Sequence, residues 1–153
     1  MARPRRRHLL AAGAAATVVA IPILAVLSTL AIQFVPPPPG SPAPPNLGLQ
    51  LLIMIPISFF AVFIYPLAVI SATILFSVAA RFLAGDWAPA RWLAAGLLVG
   101  VLTGLIMLAE FSWRMPGSIK NWSDALILVV AAGLAGAVAN LVGRVVLKTL
   151  TAD

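Results

Sequence analysis

The sequence predicts an all-α, polytopic integral membrane protein with four transmembrane helices and both termini on the cytoplasmic side. Three observations carry that expectation. Of the 153 residues, 62% are hydrophobic and 9% are charged, whereas soluble domains average roughly 45–50% apolar and about 25% charged. A soluble chain of this length has no interior large enough for so much apolar surface, so lipid is the expected solvent. Apolar runs of spanning length recur over residues 9–35, 48–80, 90–110 and 123–148. The basic residues are also unevenly shared between the ends of those runs. Arg3, Arg5, Arg6, Arg7, Arg81, Arg91, Arg144 and Lys148 fall on one side, and only Arg114 and Lys120 on the other. The positive-inside rule makes the first side cytoplasmic. The net charge of +6 therefore belongs to loop bias, and nucleic acid is not an expected partner. The length suits one bundle: a basic tail over residues 1–8, one transmembrane domain over 9–148 and a short tail over 149–153.

The first run follows four arginines. Arg6-Arg7-His8-Leu9-Leu10 resembles the twin-arginine part of an export signal. The 27-residue run of 9–35 exceeds a signal core of roughly 7–15 residues, so an uncleaved first helix is expected. Ala12, Ala16 and Ala20 form a small-residue row on it, and Pro22, which has no N–H for the Val18 carbonyl, predicts a kink. Residues 36–45 hold seven prolines and no charge. That composition predicts a stiff polyproline II spacer in the external loop 36–46.

The second run, interrupted by Pro56 and Pro66, is too long for one upright crossing and too short for two with a turn. One bent or tilted helix is expected, with its start near the outer interface. Gly85, Asp86 and Pro89 then supply a helix cap, an N-terminal cap and a first-turn proline.

The third run is bracketed by Trp87 and Trp92 on one side and Trp113 and Trp122 on the other, the pattern of two interfacial aromatic belts. Gly96, Gly100 and Gly104 recur every fourth residue and so line one face of its helix. Pro116-Gly117 signals the next turn, and Asn121 with Asp124 has the spacing of a capping box. The fourth run carries its own row, Ala132, Gly136 and Asn140. For antiparallel neighbours, facing residues share a constant index sum. Gly104 with Ala132, Gly100 with Gly136 and Gly96 with Asn140 all give 236. The two rows are expected to face each other, with Asn140 reaching a carbonyl of the third helix. The competing reading turns the glycine groove outward, toward a second copy or another membrane protein.

Reactive groups are scarce. There is no cysteine, which excludes disulfides, thiolate metal sites and iron–sulfur clusters, and His8 is the only histidine. No catalytic residue, metal or cofactor is expected. No ionisable residue lies near the middle of any run, where transporters and proton relays place theirs. Glu110, at the outer end of the third helix, is a candidate interfacial ion pair with Arg114. The expectation is a non-enzymatic small membrane protein of the bacterial cytoplasmic membrane. It would act by helix packing as an accessory or assembly subunit, with lipid and another membrane protein or its own copy as partners. The alternative is a homo-oligomeric channel or small-solute transporter.

Overall fold

The computed structural model describes residues 4–33, 46–116 and 122–152. The proline-rich spacer, Gly117 of the expected turn and Asn121 of the expected capping box lie outside the described residues. Among the described residues all regular structure is helical.

Helix α1 spans Arg6–Ile32 and continues through Pro22. It starts earlier than expected, so Arg6, Arg7 and His8 form its first turn rather than a tail. The second run is not one bent helix. It divides into α2 (Leu47–Ser58), the four-residue turn α3 (Ala61–Ile64) and α4 (Pro66–Leu83). The break follows from Pro66, whose ring disfavours helical geometry in the residue before it. Tyr65 accordingly sits at φ −127°, ψ 59°. Pro66 then takes the first helical position, where its missing N–H costs nothing. Pro56 lies in the last turn of α2, which ends at Ser58.

Helix α5 covers Pro89–Arg114 and α6 covers Trp122–Leu150. Between α4 and α5, Gly85 adopts φ 103°, a left-handed conformation that costs glycine little. The Asp86 carboxylate accepts the Ala88 N–H at 3.1 Å. It thus folds the loop two residues ahead of the helix, while Ala88 is the N-terminal cap residue.

Four helices, α1, α4, α5 and α6, are long and apolar enough to cross a bilayer, an architecture that fits a small multi-pass membrane protein. They pack as an antiparallel ring in the order α1, α4, α5, α6, with α4 and α6 on the diagonal. The tightest seams are α5 with α6 and α1 with α6, and α2 packs substantially only on α1.

Candidate functional site

The α5–α6 seam is a backbone-to-backbone contact. A Cβ added at Gly136 would lie 2.7 Å from the Gly100 Cα, and one at Gly100 would lie 2.9 Å from the Gly133 Cα. One at Gly104 would meet the Ala132 Cβ at 2.9 Å, and one at Gly96 the Asn140 Cβ at 2.6 Å. These separations leave room for hydrogen alone. In lipid, where apolar burial gives no drive between helices, such approach supplies dispersion and weak Cα–H···O bonds. The face of α5 bearing the three glycines is thus filled by α6 of the same chain. A second small-residue seam joins α1 to α6, where a Cβ on Gly143 would meet the Ala12 carbonyl oxygen at 3.1 Å and the Ala16 Cβ at 3.4 Å. Gly13 of α1 lies equally close to α4, 2.7 Å from the Thr73 carbonyl oxygen by the same measure. Above it the Thr73 hydroxyl donates to Thr17 Oγ1 at 3.1 Å.

Polar groups tie one end of the bundle shut. The Asn140 amide donates to the Trp92 carbonyl at 2.7 Å. Trp92 Nε1 donates to the Asp86 carbonyl at 2.7 Å, and Arg144 donates to the Trp87 carbonyl at 2.5 Å. Trp92 itself is 0% exposed, packed with Ala12, Ala80 and Leu147 and stacked on Trp87. It does not belong to an interfacial belt. Its ring points into the bundle because the facing positions of α1 and α4 are alanines, which leave space for an indole.

At the opposite end Glu110 is buried. One carboxylate oxygen accepts from Arg114 at 3.0 Å, the other from the backbone N–H of Ala68 at 3.2 Å. Ala68 is the third residue of α4, and Tyr65 offers that helix no side-chain cap. Glu110 therefore caps α4 from α5, countering the orphan N–H groups and the positive end of the helix dipole.

Beside the α5–α6 seam, and running from there toward the Glu110 end, the ring encloses a cavity of about 370 Å³. Thr17, Ala20, Ile21, Leu24, Ala25 and Ser28 of α1 line it at the i, i+3, i+4 spacing of one helix face. Tyr65, just before α4, and Ala68, Ala72 and Phe76 of α4 line it opposite, with Gly100, Thr103 and Met107 of α5 and Leu128, Ala132 and Ala135 of α6. Met54, Ile57 and Ser58 of α2 complete the wall where α4 has not yet begun. Ser28 Oγ and Thr103 Oγ1 are buried without a hydrogen-bond partner. Thr29, by contrast, donates to the Ala25 carbonyl and Ser58 to the Ile55 carbonyl. No lining residue is charged.

The structure thus brings Gly96, Gly100, Gly104, Ala132, Gly136 and Asn140 into one seam, and Glu110 with Arg114 into one pair. Of these, Gly100, Ala132 and Gly136 also touch the cavity. No protein-family model matches the chain, and comparison with curated proteins and with solved structures returns no significant match.

Proposed function

We propose that the protein is a non-enzymatic membrane protein that holds a small apolar solute inside its own bundle, with both termini in the cytoplasm. The observation that carries this reading is the cavity, which lies within the range of small-molecule pockets, roughly 300–1,000 Å³, and is walled by one chain. This is the small-solute alternative without the need for a homo-oligomer. The accessory-subunit reading drew its motive from small-residue faces available to partners. Those faces are taken up between α5 and α6 and between α1 and α6.

Native mass spectrometry of protein released in mild detergent tests the proposal. The expected species is a monomer carrying one apolar adduct, which the cavity-filling Ala25→Phe loses. An adduct-free complex with an unrelated subunit would overturn the reading in favour of an accessory role. A homo-oligomer that conducts ions in liposomes would favour a channel. For the orientation, reporter fusions at Asp153 and within residues 36–45 should report inside and outside; alkaline phosphatase activity at Asp153 would reverse it.

A further inference from the structure

The cavity has a direction. Along α1 its lining runs from Thr17 to Thr29, about 18 Å at the helical rise. Spread over that length, the 370 Å³ makes the cavity elongated rather than compact, a shape that suits an extended chain. The end at Gly100 and Gly136 is apolar apart from Thr17, whose hydroxyl already bonds the Gly13 carbonyl and Thr73. The end near Glu110 collects the hydroxyls of Ser28, Thr29, Ser58 and Tyr65. Two hydroxyls lack partners, Ser28 at that end and Thr103 on the wall between. A buried polar group without a partner is costly, and an occupant bearing a hydrogen-bonding group relieves that cost. A charged head has no counter-ion among the lining residues, and Glu110 and Arg114 at the same end are bonded to each other.

We infer that the occupant is a single-chain amphiphile with an uncharged, hydroxyl-bearing head, its chain toward the seam and its head at Ser28. The inference rests on the cavity reading proposed above and deepens it to a ligand class. The bilayer is the source, because α2, which completes the cavity wall, packs substantially only on α1 and is little held by the other helices.

The experiment uses the full chain in phosphatidylcholine vesicles with three diazirine probes of equal chain length: a fatty alcohol, an alkane and an alkyl trimethylammonium. After irradiation the labelled peptides are mapped. The alcohol should label residues that face the cavity, such as Ala25, Thr103 and Ala135, and exceed the trimethylammonium probe there by about tenfold or more, given the cost of a buried unpaired charge. Ser28→Ala with Thr103→Val should lower alcohol labelling about threefold per hydroxyl, toward the alkane level, while alkane labelling stays unchanged. Ala25→Phe should abolish interior labelling by the alcohol and the alkane; should that variant not fold, Met107→Trp serves the same purpose from the opposite wall. Equal interior labelling by all three probes would overturn the neutral-head inference and leave the cavity reading standing. Labelling confined to lipid-facing positions such as Leu98 and Val130 would overturn both. Undiminished alcohol labelling in the hydroxyl-free variant would overturn the assignment of the head to Ser28.

Discussion

At one end of the bundle Trp92 is 0% exposed and hydrogen bonds from Asn140, Arg144 and its own indole close the ring; at the other, Trp113 and Trp122 are 86% and 92% exposed. There the interior holds a cavity with two unpartnered hydroxyls. Wall length separates the two ends. Helices α1, α5 and α6 have 27, 26 and 29 residues, or about 39–44 Å each. Helix α4 has 18 residues, about 27 Å, and stops at Pro66. Beyond that level the fourth wall is α2, which contributes no buried residue. The cavity starts alongside α4, where Ala68, Ala72 and Phe76 line it, and continues past Pro66 to Met54, Ile57 and Ser58 of α2.

The largest effect expected from breaking this arrangement is at the α5–α6 seam. Gly100→Ile would drive a side chain into the backbone of Ala132 and Gly133, atoms that cannot step aside. Overpacking against movable side chains costs typically about 1–3 kcal/mol, and here the cost should exceed that range. The variant should fail to accumulate or should melt far below the wild type in detergent. Gly133→Ala is the contrast, because its Cβ would meet the ends of Val101 and Leu97 at 3.1 and 3.4 Å, which can give. Near-wild-type melting of Gly100→Ile would refute the seam.

Next in size are the tryptophans, which test the two ends directly. Trp92→Ala leaves a void among Ala12, Ala80 and Leu147 and should cost about 3 kcal/mol, the low end for such truncations in a packed core. Trp122→Ala, at the exposed end, should cost less than about 0.5 kcal/mol. Equal losses in thermal melts would abolish the distinction between a sealed and an open end.

Much of the seam was legible in the sequence because glycine and alanine at spacing four define a face whatever the solvent. The index sum also pairs residues without any knowledge of the partner helix. In the structure Gly100 stands against Gly136, and Asn140 reaches the Trp92 carbonyl, one turn before Gly96. The cavity face was harder to read. Thr17, Ala20, Ile21, Leu24, Ala25 and Ser28 have regular helical spacing, but α1 is apolar all round, so hydropathy does not separate its inner from its outer face in lipid. The break before Pro66 was written in a proline, yet Pro22 and Pro56 lie within helices and Pro66 begins one. The flanking residues and the packing around them decide which outcome follows. Trp92 misled because an indole suits both an interface and a void left by alanines. The capping of α4 by Glu110 joins residues 42 apart in sequence, and no local signal carries such a pairing.

That cap predicts an intermediate effect at the open end. Glu110→Ala leaves the Ala68 N–H without its acceptor and should lower stability by about 1–2 kcal/mol, the cost of a lost helix cap. Glu110→Gln keeps an acceptor oxygen and should cost less than about 1 kcal/mol. Equal losses in the two variants would mean that charge, rather than capping, is what α4 needs there.

The smallest effect belongs to the acid of the sealed end. The Ala88 N–H, and then Arg91, hold the Asp86 carboxyl below the usual carboxylate range, and Asp86 is partly exposed in its loop. A folded-state value lowered in this way stabilises the loop above the ordinary carboxylate range. That contribution disappears as the pH falls through the folded value. Melting curves from neutral to strongly acidic pH should therefore show a shallow acid-side loss of stability that Asp86→Asn reduces. The indole of Trp92 bonds the Asp86 backbone carbonyl, which the substitution preserves, so the seal itself should survive and only the pH dependence should flatten. If Asp86→Asn instead lowers melting at neutral pH as far as Trp92→Ala does, the Asp86 side chain holds the sealed end together, and the primary role given to the buried indole is wrong.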